Sequence, residues 1–479
     1  MARRGLPAWL RASDILDLLR LSVPIAVTRM SMMLMSVTDA IVLGQYAPGE
    51  LPFVLNSWLP IGVGLGAGLG LLLGVQVLTS EMMGTDDTAD TGRVFRRGLK
   101  MSILFGLGLG VGIWLLAGPL FHWMFVVLSP SEEMSATLSP AEVAHRTAAV
   151  TEILAWSMPA FMVSAAASYY LEALRRPLIV TVLSYGGVII NLLLDLAFVG
   201  GWWGMPAMGA EGVAIATSGS RWAITIAVLI AVFLLTPGFK PSRAGPADEG
   251  HRQVTVGAGT AISNVAEWGG FNFTFIIATW VSLVVNTAYG YSIQVMGVIF
   301  MLYMGIGTAT SVRVAEAFGR AHQDGVRDAG RLGVAATVLV GLVFGVLTYV
   351  FSTSISEVFV AADAVMDGVL LAPLIASLLI YVAFVSLFDG LQAVPAMALR
   401  AQEIVWVPTA FHLGSFFLVM IPACYWLAIG LDRGAQGMME GAMIGVGLAA
   451  LLQTVYLEYR TARHRGDAPH PLSTGEAKS

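Results

Sequence analysis

Six acidic or amide side chains interrupt otherwise apolar sequence: Asp39 in SVTDAIVLG, Asn191 and Asp195 in VIINLLLDLAFV, Glu267 in SNVAEWGGFNF, Gln294 in YSIQVMGV and Asp389 in SLFDGLQAV. An ionisable group at the middle of a membrane span costs about 2.5 to 3.5 kcal/mol on insertion scales, so each implies a partner or a function. Asn191 and Asp195 are four residues apart, which stacks them on one helix face. Estimated depth places them, with Asp39 and with Thr217 of GVAIAT, in the outer part of the first half of the chain. Two carboxylates, an amide oxygen and a hydroxyl form an oxygen-rich set suited to a hard cation such as Na⁺. The same set suits a proton, because two carboxyls in a poorly solvated pocket do not easily both ionise. Hydrogen bonding between helices would explain a lone Asn, but two Asp at matching depth outweigh that reading. Glu267 and Asp389 form a second set, which Gln294 either joins or leaves for simple hydrogen bonding between helices. Two bases, Arg29 and Arg221, also fall inside spans, where pairing with acids is the expected role.

These side chains need spans to carry them. Of the 479 residues, 57% are hydrophobic and 12% charged, against roughly 25% charged in an ordinary soluble domain. Mean hydropathy is +0.77. A bilayer core needs about 20 apolar residues per helix. Twelve such segments follow one another, from 15–44 to 436–459, the fourth over 147–171 and the tenth over 367–399. Basic residues orient them. With both termini cytoplasmic, 22 of the 26 Lys and Arg lie on the inner side, including Arg3, Arg4, Arg11, Arg93, Arg96, Arg97, Arg320, Arg331, Arg465 and Lys478. The expected fold is an all-α polytopic membrane protein, twelve helices in two six-helix bundles related by a pseudo-two-fold along the membrane normal. Its expected location is the bacterial inner (cytoplasmic) membrane.

The Pro-, Gly- and charge-rich stretch after residue 235 divides the chain. The expected units are a first bundle over 1–235, a cytoplasmic linker over 236–252, a second bundle over 253–460 and a cytoplasmic tail over 461–479. The halves carry an internal repeat. At a constant offset of 235, Glu81 meets Glu316, Gly84 meets Gly319, Arg96 meets Arg331 and Gly98 meets Gly333. Parallel repeats of this kind place a transporter's substrate at their interface. Pro24 removes a backbone hydrogen bond and is expected to kink the first helix. The run IGVGLGAGLGLLLG (61–74) offers close helix packing. The acidic loop 129–146 is expected to hold at most a short amphipathic helix.

Other functions are disfavoured. One cysteine, Cys424, supplies neither a disulfide nor a Cys-based metal site. The net charge of −5 gives no nucleic-acid footprint. The first segment carries Arg29 and Asp39 and lacks a small-residue cleavage site, so a retained helix is expected. An intramembrane enzyme would want paired histidines or a nucleophile near the acids, whereas His122 and His412 are isolated and the other five histidines lie mostly in loops.

With these residues in view, the chain resembles the multidrug and toxic compound extrusion (MATE) family from about residue 15 to 460. The likeness rests on the helix-one run from Pro24 to TDAIVLG, on NLLLDLAFV followed by GAEGVAIAT, on Glu267, and on IGTATSVRVAEAFG and LFDGLQAVPAMALRAQ. It implies a V-shaped pair of bundles exporting cationic or amphipathic compounds in exchange for inward H⁺ or Na⁺, with no other cofactor, acting as a monomer. By the resemblance, Asp39, Asn191, Asp195 and Thr217 fall on a first-bundle site for the proton or Na⁺, and Glu267 and Asp389 on a second-bundle site. Asp39, Glu267, Gln294 and Asp389 are the expected substrate contacts, and Pro24 the conformational residue. Asp195 resembles the DinF-like branch, whereas Glu267 and Asp389 are NorM-like. A flippase for lipid-linked saccharides on a related scaffold is the alternative; its anionic cargo would want several Arg or Lys in the cavity, yet acids outnumber bases within the spans.

Overall fold

A computed structural model describes residues 12–84, 88–130, 134–319, 323–402, 404 and 406–463. Arg3, Arg4, Arg11, Arg320, Arg465, Lys478 and the tail past Arg463 lie outside them. Helices dominate: α1 (Ala12–Tyr46), α2 (Leu51–Gly84), α3 (Gly92–His122), α4 (Pro140–Ala155), α5 (Met158–Ala173), α6 (Pro177–Phe198) and α7 (Gly209–Leu235) form the first half. The second half holds α8 (Glu249–Val281), α9 (Leu283–Gly319), α10 (Gln323–Val350), the short α11 (Ser352–Phe359), α12 (Leu371–Arg400), α13 (Trp406–Leu413), α14 (Ile421–Tyr425) and α15 (Gly434–Arg463).

Nine stretches among the described residues are long and apolar enough to cross a bilayer, and two bent pairs, within α1 and across α4 and α5, add two more. The twelfth rod is α8, 33 residues long, whose hydropathy is lowered by side chains such as Asn264, Glu267 and Asn272. Large apolar side chains on the outside of the rods are bare, Leu104 at 73% and Leu418 at 78% exposure. An apolar exterior of this extent is stable against lipid and not against water.

Four local expectations change. The fourth segment is two helices meeting at 44°, because Pro159 enters the first turn of α5 without an N–H to donate. The second part of the 129–146 loop is the start of α4. There Ser139 caps the helix by accepting the Glu142 N–H at 3.2 Å, with Pro140 at the first position. The tenth helix starts at Leu371, since 365–370 is a β-hairpin, Val365–Met366 paired with Val369–Leu370. Its turn residues Asp367 and Gly368 have φ of 48° and 80°, the two positive values that tight hairpins require. Helix α1 bends by 41° between Ser31 and Met33, two turns past Pro24. Just before the bend, the Thr28 hydroxyl bonds the Pro24 carbonyl at 3.0 Å and Ser31 bonds the Thr28 carbonyl at 2.8 Å. Such back-bonding bends helices.

The halves meet along two antiparallel helix pairs, α2 on α8 and α1 on α9. These are the pairs a two-fold exchanges, since α8 and α9 repeat α1 and α2. Gly62, Gly66, Gly70 and Gly74, each four residues apart, face α8 at Asn272, Asn264, Ala261 and Gln253. Gly64 and Gly68 turn the other way, toward Leu109 of α3 and Met162 of α5. On the second pair, Gly305 abuts the Ser22 carbonyl and Gly44 abuts Tyr291 and Phe359. The repeat extends to contacts: Gly98 packs on Val75, and Gly333, at the same offset of 235, packs on Thr310, the counterpart of Val75. Arg96 and Arg331 diverge. Arg96 holds the linker through Gly238, Lys240 and Ser242, whereas Arg331 makes two 2.9 Å bonds to Glu458.

The arginine-rich end is tied across the halves by Arg252 to Glu81 at 2.8 Å, Arg313 to Asp14 at 2.6 Å, and Arg93 and Arg97 to Glu249 at 3.0 and 3.1 Å. At the opposite end Gln45 donates to the Val358 carbonyl at 3.2 Å, and the buried Asn56 bonds Thr279 at 2.8 Å.

Candidate functional site

Asp39 of α1, Asn191 and Asp195 of α6, and Thr217 of α7 converge in one buried cluster. The four-residue spacing on α6 turns the Asn191 amide back onto Asp195, with Nδ2 donating to Oδ2 at 2.7 Å. The same Nδ2 donates to Asp39 Oδ1. Thr217 donates to the other Asp39 oxygen at 3.1 Å. The carboxyls of Asp39 and Asp195 lie within hydrogen-bonding reach of each other. Asp195 Oδ1, fully buried, has no hydrogen-bond partner among the described residues.

Ser220 was not singled out from the sequence, yet it fixes the cluster by donating to Asn191 Oδ1 at 2.9 Å. It follows Thr217 by three residues on the same face of α7, a spacing that could have marked it. Arg221, the next residue, turns to the broken fourth rod. Its Nη1 donates to Ser157 Oγ at 2.7 Å, and its guanidinium lies 5.6 and 5.4 Å from the ring centroids of Trp58 and Phe161. The expectation of an acid partner is therefore replaced by two aromatic faces and a hydroxyl, with no carboxylate in ion-pair contact among the described residues. Aromatic quadrupoles and the longer-range field of Asp39 balance its charge.

Of the two readings of Gln294, the structure shows the hydrogen bond between helices, made across the interface between the halves. Its Nε2 donates to Ser36 Oγ at 2.9 Å, one turn before Asp39 on α1. Both Gln294 and Asp39 line a cavity of about 10 Å³ between the halves, together with Ser36, Leu55, Trp58 and Val213. That holds about one water, whereas a drug-sized ligand needs roughly 300 to 1,000 Å³.

In the second half, Asp389 of α12 is buried and accepts from Gln392 Nε2 at 3.2 Å. Glu267 of α8 is half-buried and within electrostatic range of Asp389. The two second-half acids are thus neighbours, separate from the first cluster. Pro24 lies two turns from the bend of α1, and its carbonyl accepts from the Thr28 hydroxyl. Arg29 lies in the field of Glu172 on α5, whose carboxylate accepts from Gln76 at 3.3 Å.

Twelve membrane-crossing rods in two repeated halves, with carboxylates buried beside the seam between them, define a polytopic membrane transporter. The chain belongs to the MatE family, whose model matches residues 24–197 and again 260–426. The two matches start 236 residues apart, close to the repeat offset of 235. The "Probable multidrug resistance protein NorM" of Caulobacter vibrioides is 33% identical over 465 residues, covering 95% of this chain and 94% of that protein. "Multidrug resistance protein PmpM" of Pseudomonas aeruginosa is 25% identical, covering 94% and 92%. Among solved structures, the inward-facing conformation of a multidrug resistance MATE family transporter superposes with a TM-score of 0.78 at 14% identity, covering 95% and 100%. A eukaryotic MATE transporter, AtDTX14, gives 0.72 at 16%, covering 95% and 98%.

Proposed function

We propose that this multidrug efflux transporter is a secondary antiporter of the bacterial cytoplasmic membrane, with both termini in the cytoplasm, and that it exports cationic or amphipathic compounds in exchange for protons. The observation that carries the choice of proton is the polarity of the groups aimed at the two first-half carboxylates. Asn191 Nδ2 and Thr217 Oγ1 are both donors. Na⁺ wants oxygen lone pairs, so it would require Asn191 to turn its amide around and forfeit the Ser220 donation. A proton requires no rearrangement of donors, because it sits between two carboxyls that are already within reach of each other.

Binding of a proton neutralises the pair, and a cationic substrate competes for the same negative charge. Mutual exclusion of two cations at one site is a coupling free energy, and it is reciprocal. Glu267 and Asp389 supply the second half's negative charge for the substrate, and the seams on the glycine faces of α2 and α9 are where the halves rock.

The test is efflux-direction transport of a cationic dye by the purified protein in proteoliposomes. A pH gradient is expected to drive it and a Na⁺ gradient to leave it at the background rate. Asp195→Asn is expected to reduce proton-driven efflux at least tenfold. Driving by Na⁺ alone, or wild-type coupling in Asp39→Asn, Asp195→Asn and Glu267→Gln together, rejects the reading.

A further inference from the structure

His412 sits on α13 with 1% of its surface exposed, and neither ring nitrogen has a hydrogen-bond partner among the described residues. An imidazole always carries at least one N–H, and while neutral it carries one acceptor as well. Buried polar atoms are nearly always paired, so a fully buried ring with both nitrogens free calls for an explanation. The ring stacks on Phe416, with centroids 5.5 Å apart and planes at 5°. Core packing would be served as well by a phenylalanine, which carries no polar atoms to strand.

The surroundings of the ring point to a proton. Helices α8 and α13 cross in the same direction, because an even number of crossings separates them. Phe271 of α8 packs on Phe416 at 5.2 Å, and the position where a Gly270 side chain would begin lies 2.9 Å from Phe416. One turn earlier on each parallel helix stand Glu267 and His412, which are therefore level. On α12, Ser386, Asp389 and Gln392 succeed one another at three-residue spacing. Among the described residues, Ser386 Oγ and Gln392 Oε1 are buried without partners, as is Ser415 Oγ, three residues past His412. The Gln392 backbone carbonyl lies near the ring without hydrogen-bond geometry. Directly after Leu413 the helix widens into a π-helical stretch, Gly414–Met420, a distortion frequent at functional sites. Among the described residues, the charged groups facing the ring are Glu267 from α8 and Arg400 from α12, with Asp389 beyond Gln392.

We propose that His412 is a proton-binding member of the second-half site, exchanging a proton with Glu267 or Asp389 as the halves move. In that step a carboxyl O–H breaks and an imidazole N–H forms, so a neutral pair becomes an ion pair and no other reactant is needed. The second half then carries a proton step of its own, distinct from that of Asp39 and Asp195. Its place in transport rests on the antiport reading; its protonation does not.

The test separates the two. In the purified full-length chain with ring-¹⁵N histidine, the His412 resonances are identified by their loss in His412→Asn. If that variant does not fold, replacing the other six histidines isolates them. The ring is expected to pass between neutral and cationic forms between about pH 5 and 8. Its midpoint is expected to move by about half a pH unit or more in Glu267→Gln. A ring that keeps one form from pH 5 to 9, or a midpoint indifferent to both Glu267→Gln and Asp389→Asn, overturns the proposal. In proteoliposomes, His412→Asn is expected to cut proton-driven dye efflux about fivefold and to change the shape of its pH profile, and a profile superposing on the wild type removes the transport role. If His412 titrates while the wild-type protein moves no dye under either gradient, the antiport reading fails and the proton site stands.

Discussion

Asp39 on α1 and Asp195 on α6 share one donor, the Asn191 amide nitrogen, which contacts a carboxylate oxygen of each. One N–H₂ group thus ties together two carboxyl groups from different helices in a buried cluster. Ser220 orients Asn191 by donating to its Oδ1 at 2.9 Å.

Replacing Asn191 by leucine removes both bonds to the carboxyls at once and strands their oxygens. A hydrogen bond is worth about 0.5 to 1.5 kcal/mol net, and a buried acceptor left without a donor costs about 1 to 3 kcal/mol, so a loss of about 3 kcal/mol is expected, read as a lower Tm in detergent. A Tm equal to that of wild type would show that Asn191 serves packing alone.

Gly74 and Gly112 offer a matched comparison. A methyl group on Gly74 would start 2.0 Å from the Gln253 carbonyl of α8, which is backbone and cannot move aside cheaply, whereas one on Gly112 meets nothing within 4 Å. Gly74→Ala is expected to force the halves apart at that seam and lower Tm by several degrees with loss of dye efflux. Gly112→Ala is expected to match or slightly exceed the wild-type Tm, since alanine is the better helix former by up to about 1 kcal/mol. Equal melting of the two variants would deny the tight α2/α8 seam.

Arg221 is held by shape as much as by charge. Its guanidinium lies against Trp58 and Phe161, and lysine can reproduce the charge but not the planar stack. Arg221→Lys is expected to cost about 1 to 2 kcal/mol, in the range of desolvated cation–π contacts. Trp58→Leu is expected to cost similarly in wild type and much less in the Arg221→Lys background, so a double-mutant cycle on Tm measures the contact. Additive losses would mean that the ring and the guanidinium do not interact.

The residues with chemistry were legible because their cost is visible in one dimension. Asp39, Asn191, Asp195, Thr217, Glu267 and Asp389 stand in apolar runs where polar groups are expensive, and the four-residue spacing already put Asn191 and Asp195 on one face. Twelve spans and two repeated halves followed from hydropathy, charge asymmetry and a constant offset. The misplaced elements were those governed by local backbone chemistry within an apolar run. The 44° break between α4 and α5 and the α1 bend past Pro24 change the direction of a rod without changing its hydropathy.

What the sequence could not decide was which face meets which. Periodicity assigns a residue to a side of its own helix, but the identity of the neighbour depends on how twelve rods are packed. It is tertiary packing that sends Gln294 to Ser36 instead of to Asp389, gives Arg221 two aromatic rings instead of an acid, and sets His412 level with Glu267. The sequence by itself determined that this chain buries carboxylates in a membrane; only the three-dimensional packing decided that one amide bridges two of them, because the partners arrive from helices separated by more than a hundred residues.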